Sequence, residues 1–431
     1  MSKLEEMNNS QLQAYHISLS RSYEKARAQK LKLDMSRGKP CTEQLDLSAG
    51  LMNCLGQDDY KTANGTDCRN YGGMDGIPEA KELFAWFLEV RPEELIIGGN
   101  SSLTMMYDLI TKAMLHKIPG SQTPWCKLPQ VKFLCPSPGY DRHFAICENL
   151  GIEMITINYQ ADGPDMDEVE KLVASDSAIK GIWCVPKYSN PTGITYSTEV
   201  VKRLASMPAK APDFRIFWDN AYTVHHLTDT PDPLINILDA CRQAGNPDRV
   251  FEFCSTSKIS FPGAGIAMLA SSETNINWLK KQINIQTIGP DKLNQLRHVR
   301  FFKDQSGIEN HMRQHAAIIK PKFDLVLEIL ESKLGDKNIA SWSKPRGGYF
   351  ISLDTLPGCA QKVVAKAADA GVMLTPAAAT FPYGKDPEDK NIRISPSFPP
   401  LSELQQAVEL LTLCIELVSV EQELGKRGLS S

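Results

Sequence analysis

No stretch of this 431-residue chain approaches the roughly 20 consecutive apolar residues that a membrane-spanning helix requires; apolar runs such as residues 263–270 are short. Neither sign of charge dominates. Lys and Arg number 47 against 51 for Asp and Glu, so a net charge of −4 gives no overall basic field for nucleic acid or an anionic membrane. The first ten residues are polar and lack a signal-peptide core, which leads to the expectation of a cytoplasmic protein. The eleven cysteines contain no C-x-x-C pair, and no histidines lie at zinc-finger spacing. A disulfide framework and a metal centre are therefore not expected, and reduced, mostly buried thiols are. G-x-x-x-x-G-K-[ST] is missing, as is a G-x-G-x-x-G that opens a helix after a strand, which removes support for phosphoryl transfer and nicotinamide chemistry.

What remains is an ordinary globular composition, 42% hydrophobic and 23% charged, with length enough for two or three domains. From about residue 95 to 270, short apolar runs alternate with helical patterns. Strands are predicted near residues 95–97, 131–135, 153–158, 182–185, 215–218, 250–253 and 266–269, with helices over 102–115, 141–150 and 167–174. That alternation predicts an α/β core with a mostly parallel central sheet and helices on both faces. Beyond it, helices over 311–333, 360–370 and 401–423 mix with strands at 347–352 and 392–394, which predicts a smaller α+β domain. The expected division is 1–48 as an N-terminal segment contributing to the small domain, 49–310 as the large domain and 311–431 as the small domain. His311 and His315 share a helix face at i, i+4 spacing, a pattern that more often marks a solvated face than a metal site. His225 and His226 carry no motif.

In open α/β sheets, ligands gather beyond the carboxyl ends of the strands, so the residues that follow each run matter most. Lys258 sits in such a place, within the hydroxyl-rich segment 254–265. A desolvated lysine there is suited to forming a Schiff base with an aldehyde cofactor. Asp219 and Tyr222 follow another strand, and Asn190 follows a third. An acid can keep a pyridinium nitrogen protonated, and amide and phenol donors can hold a phenolate oxygen, which are the electronic needs of pyridoxal 5'-phosphate (PLP). Arg393, on a late strand, suits a bidentate grip on a carboxylate.

Together these segments resemble the fold-type I, class I PLP-dependent aminotransferases, over nearly the whole chain. The stretches 33–40, 71–73, 257–265, 287–298 and 345–350 are similar to the bacterial aspartate aminotransferase subgroup Ic. That subgroup is related to the aminotransferase domains of certain transcription regulators. No winged-helix segment precedes the core here, so a free-standing enzyme is expected.

The resemblance implies that Lys258 is the Schiff-base lysine and proton shuttle, that Asp219 pairs with the pyridine nitrogen, and that Asn190 and Tyr222 hold the ring hydroxyl. It places Tyr140 against the ring. The phosphate goes to the helix start at Gly99, Asn100, Ser101 and Ser102, aided by Ser255 and by Tyr71 of the other subunit of a homodimer with shared active sites. Arg393 is implied to bind the substrate α-carboxylate, with Asn190 and Gly38 also lining the substrate site. One position departs from many class I enzymes: Gly265 stands where they carry a phosphate-binding Arg, as subgroup Ic leads one to expect.

The implied activity is transfer of an amino group between L-aspartate and 2-oxoglutarate. An alanine or aromatic donor, a PLP lyase on the same fold and a non-catalytic PLP-binding effector module are the alternatives. For a distal substrate carboxylate, Arg37, Lys39, Lys292, Arg297 and Arg346 are the candidate cations, and Lys292 and Arg297, reaching across the dimer interface, are favoured.

Overall fold

A computed structural model describes residues 3–430; Met1, Ser2 and Ser431, at the ends of the expected first and last segments, lie outside the described residues. In chain order the strands are β1 (Leu33–Asp34), β2 (Leu95–Ile97), β3 (Lys132–Ser137), β4 (Glu153–Gln160), β5 (Gly163–Pro164), β6 (Ile179–Cys184) and β7 (Arg215–Asp219). They continue with β8 (Val250–Ser255), β9 (Ala267–Ser271), β10 (Ala340–Trp342), β11 (Ile351–Thr355), β12 (Val372–Met373) and β13 (Asn391–Ile394).

Eight of these form a sheet in the order β2-β9-β8-β7-β6-β3-β4-β5. The five strands β4, β3, β6, β7 and β8 run parallel, while β9 and β5 pair antiparallel with their neighbours. Successive strand residues enter opposite cores. Ile216 and Trp218 join one apolar cluster, whereas Phe217, Phe251 and Phe253 join another across the sheet. Burial on both faces is why these strands read as unbroken apolar runs. The connections pass through helices such as Asp141–Asn149, Met166–Ser175 and Thr198–Ser206, so the carboxyl ends of β3, β6, β7 and β8 share one edge.

The strands β10-β11-β13 form an antiparallel sheet. Along β11, Ile351, Leu353 and Thr355 are buried while Ser352 and Asp354 are less so, the alternation of a sheet with one covered face. Its core takes Leu12 and Leu19 from the helix Asn9–Arg27 and Leu411 and Ile415 from the helix Leu401–Lys426, bringing the two ends of the chain together. β1 pairs in parallel with β12.

Three sequence expectations change. The helix expected from residue 311 spans Gln305–Leu334, because Asp304 caps it by accepting the Gly307 N–H at 2.9 Å. The strand expected from 347 begins at Ile351. Gly347 and Gly348 lie so close to the Tyr188 side chain that a Cβ on Gly347 would come within 2.3 Å of its ring, and Gly348 has φ +79°. His311 and His315 are buried, with their Nε2 atoms 3.0 Å apart, so they do not form a solvated face. Among the described residues no cluster of three metal-ligating side chains forms, all eleven cysteines are free, and no helix is long and apolar enough to cross a membrane.

Candidate active site

Lys258 lies on the turn after β8. Thr256 anchors that turn: its carbonyl accepts the amides of Ile259 and Ser260, and its hydroxyl accepts the Ile266 N–H at 2.8 Å. The Lys258 ammonium nitrogen is 5.1 Å from the centre of the Tyr222 ring. Burial is the largest influence on its pKa and lowers it from the ordinary lysine value, against the opposing pull of Asp219 and Cys254. An amine so placed holds its neutral, nucleophilic form more readily than a surface lysine.

Asp219 ends β7. Its Oδ2 lies 3.0 Å from His143 Nε2, and its Oδ1 is buried with no hydrogen-bond partner among the described residues. His143 stacks on Trp183 at 4.1 Å between centroids, and Tyr140 meets the His143 ring edge-on at 4.9 Å. Burial, aided by Asp219, pushes the Tyr140 phenol up to about 12. Tyr222 is buried too, which raises its pKa well above the ordinary value. The carboxyl ends of β3, β6, β7 and β8 thus bring Tyr140, Asn190, Asp219, Tyr222 and Lys258 to one edge of the sheet.

The segment Gly99, Asn100, Ser101, Ser102 follows β2 and opens the helix Ser102–Leu115, with Ser101 Oγ accepting the Thr104 N–H. It is tied to the lysine turn. Ser257 Oγ donates to the Asn100 carbonyl at 3.2 Å, Ser255 Oγ donates to Ser257 Oγ at 3.1 Å, and Asn100 Nδ2 donates to the Pro262 carbonyl at 3.1 Å. Free helix-start N–H groups beside these hydroxyls suit an anion. Gly265 cannot share in this: a Cβ there would sit 2.9 Å from Thr256 Oγ1 and 3.0 Å from the Phe261 carbonyl oxygen, so the turn that holds Lys258 excludes an arginine at this position.

Arg393, on β13, reaches groups that follow strands of the large sheet. Its Nη1 lies 2.9 Å from Asp141 Oδ1 and donates to Asn190 Oδ1 at 3.2 Å, while Nε and Nη2 donate to Thr375 Oγ1. The guanidinium lies 5.0 Å from the centre of the Phe350 ring. Gly38 lets the N-terminal segment cross that ring, since a Cβ would come within 2.4 Å of it. Tyr71 stands apart from these groups, 77% exposed, on a loop that Lys292 fastens by donating to the carbonyls of Asn70 and Gly72 at 2.7 Å each.

The favoured cation Lys292 is therefore buried and committed to backbone carbonyls, a use that spacing alone does not reveal. Arg346 is paired with Asp232 at 2.6 Å. Lys39 lies over the Phe398 ring at 3.7 Å, Arg37 is exposed, and Arg297 forms no ion pair within the described chain. Sequence reasoning passed over His143 and Asp141, although both follow Tyr140 within one helical turn. It also set aside His225, whose Nε2 lies 3.3 Å from the Lys258 carbonyl oxygen; Tyr349 donates to the same oxygen at 3.3 Å. Gln44 extends this buried network, donating to Tyr349 Oη and contacting His315 Nδ1.

Residues 7–427 match the sequence profile of the aspartate amino-transferase family. The chain is 45% identical over 418 residues to an aspartate aminotransferase of Corynebacterium glutamicum, covering 97% of this chain and 96% of that one. A crystal structure of an aspartate transaminase from C. glutamicum superposes with a TM-score of 0.96 at 45% identity, covering 98% of this chain and 99% of that one. At 20% identity, the α-aminoadipate aminotransferase LysN of Thermus thermophilus shares the fold with a TM-score of 0.74, over 93% of this chain and 95% of that one. With its profile matched almost end to end and its architecture shared throughout, the chain belongs to the aspartate amino-transferase family.

Proposed function

We propose that this aminotransferase uses PLP to exchange an amino group between L-aspartate and 2-oxoglutarate, as a cytoplasmic homodimer. The observation that carries the cofactor assignment is Asp219 Oδ1, a buried acceptor without a donor on the edge that also holds the desolvated Lys258. A protonated ring nitrogen supplies the donor that this oxygen lacks. The similarity to aspartate transaminases favours the substrate pair. Segments 1–48 and 311–431, which share an apolar core, fit a small domain that carries Arg393 over the large domain of 49–310.

When bound, PLP supplies an aldehyde for reversible carbon–nitrogen bonding and a ring that withdraws the electrons left as the substrate Cα proton departs. Lys258 Nζ would take the proton from the substrate Cα, a task suited to an amine whose neutral form is favoured by burial. Asp219, oriented by His143, holds the ring nitrogen protonated. Tyr222 and the Asn190 amide hold the ring hydroxyl, and Tyr140 covers the ring face. Gly99, Asn100, Ser101, Ser102 and Ser255 receive the phosphate, joined by Tyr71 of the partner subunit. Arg393 fixes the substrate α-carboxylate, bounded by Asn190 and Gly38.

The direct test is borohydride reduction of the holoenzyme followed by peptide mapping, together with assay of L-aspartate against 2-oxoglutarate. The expected result is cofactor attached to Lys258, and oxaloacetate formed beyond one equivalent per site only when the oxo acid acceptor is present. Label elsewhere overturns the Lys258 assignment. Continued release of a deaminated product without any acceptor, beyond one equivalent per site, identifies a lyase, and cofactor binding without turnover identifies an effector module.

A further inference from the structure

The buried guanidinium of Arg393 already has a carboxylate on it. Asp141 Oδ1 lies 2.9 Å from Nη1, and this is the one acid within ion-pair distance of Arg393 among the described residues. Its remaining contacts are neutral: the Asn190 amide oxygen, the Thr375 hydroxyl and the face of Phe350. A cation with only 7% of its side chain exposed is costly without a counter-ion, and Asp141 supplies one.

The two residues belong to opposite walls of the cleft. Asp141 is the first residue of the helix Asp141–Asn149, which follows β3 of the large sheet, and Arg393 is on β13 of the small one. The Asp141 side chain is one-third exposed. It has room to turn toward solvent, where the helix N-terminus still favours its charge.

We propose that Asp141 is a resident stand-in for the substrate carboxylate, which an incoming amino or oxo acid has to displace from Arg393. This rests on the reading of Arg393 as the α-carboxylate site. Two carboxylates on one guanidinium repel each other, so Asp141 weakens the binding of every carboxylate substrate and retakes Arg393 as product leaves. Asp141 is a positioning residue in this scheme: it acts through Arg393 and touches no reacting atom.

The test uses holoenzyme carrying Asp141→Asn, which keeps size and hydrogen bonding but removes the charge. A neighbouring like charge at a partly exposed site is worth roughly a factor of ten in affinity. KM for L-aspartate and for 2-oxoglutarate should both fall by about that factor, with kcat unchanged or lower. The dissociation constant of succinate, measured by calorimetry without turnover, should fall in parallel, and Asp141→Glu should restore the parent values. Unchanged or raised constants for 2-oxoglutarate and succinate overturn the proposal. So does a rise confined to L-aspartate, which would mean that Asp141 recognises the substrate ammonium. Arg393→Gln in the same calorimetric assay separates the two claims. If that variant binds succinate as the parent does, the Arg393 reading itself fails; if it loses succinate while Asp141→Asn behaves as the parent, only the displacement proposal fails.

Discussion

His143 Nε2 lies 3.0 Å from Asp219 Oδ2, and the His143 ring is held flat on Trp183, leaving Oδ1 as the carboxylate's one uncommitted oxygen. The histidine thereby fixes which way Asp219 presents its free acceptor. His143→Phe should keep the stacking and lose the hydrogen bond. Turnover should fall by roughly 10- to 100-fold, the usual cost of removing a group that orients a ligand-holding side chain, with cofactor still retained on the protein. Asp219→Ala should lower turnover further. Parent-like kcat in His143→Phe, measured at saturating substrate, would show that Trp183 and the backbone alone orient Asp219.

Buried histidines give this fold a specific acid sensitivity. Burial lowers His226 and His298 to about 4 and His315 to about 3, and it lowers His225 and His311 as well. Their folded values lie below the ordinary 6.5, so the unfolded chain binds more protons between the two, and stability rises with pH across that window. Urea midpoints should therefore drop as pH falls from about 6.5 toward 4, before most carboxylates titrate. His315→Phe should flatten part of that slope. A level profile over this range would mean that the rings take up protons as readily in the folded protein as in the unfolded chain.

Tyr71 gives the proposed homodimer a functional test. It is exposed beside Ile288, whose carbonyl accepts the Gly72 N–H and which is itself 65% exposed, an apolar setting suited to cover by a second copy. Mixing inactive Lys258→Ala chains with a Tyr71→Ala variant of strongly reduced activity should restore activity through hybrid dimers that contain one intact site. Failure to recover activity, with subunit exchange verified by mass spectrometry, would remove Tyr71 from the partner's site.

Lys292 and Arg297 should separate sharply. Lys292→Met strips the donor from two carbonyls of the Tyr71 loop, costing about 1–3 kcal/mol of local stability and reducing activity with every amino donor alike. Arg297→Ala should spare L-alanine and depress L-aspartate and L-glutamate turnover, because its charge has no ion-pair partner among the described residues. Comparing kcat/KM across the three donors decides the matter. Equal losses in Arg297→Ala would exclude it as the distal-carboxylate cation.

The large sheet was legible because strands such as β7 and β8 are buried on both faces and so carry apolar runs that local pattern reveals. Lys258 and Asp219 stood out for the same reason, as polar residues directly at the ends of those runs. Asp141 and Arg393, by contrast, lie 252 residues apart, and no local signal announces a pair between residues so distant in the chain. Periodicity placed His311 and His315 on one helix face but could not say what covers it. Gln44 and Ser48, from far upstream, bury that face. The Gly347–Gly348 turn was hidden likewise, since the ring that demands it belongs to Tyr188.

The pairing of β1 with β12 has a consequence for biosynthesis. Leu33 finds its partner Val372 only after about 340 further residues have been made, and the helix Asn9–Arg27 waits longer still for the helix Leu401–Lys426. At elongation rates of about 5–20 residues per second that wait is roughly 20–70 s. The large sheet, whose strands all lie between residues 95 and 271, can assemble on the ribosome in that interval, while the amino-terminal segment remains unpartnered with Leu12, Leu19 and Tyr23 uncovered. Nascent chains stalled before residue 372 should therefore be cleaved by protease within residues 9–34, while residues 95–271 already resist, and a segment made early would be among the last to find its place.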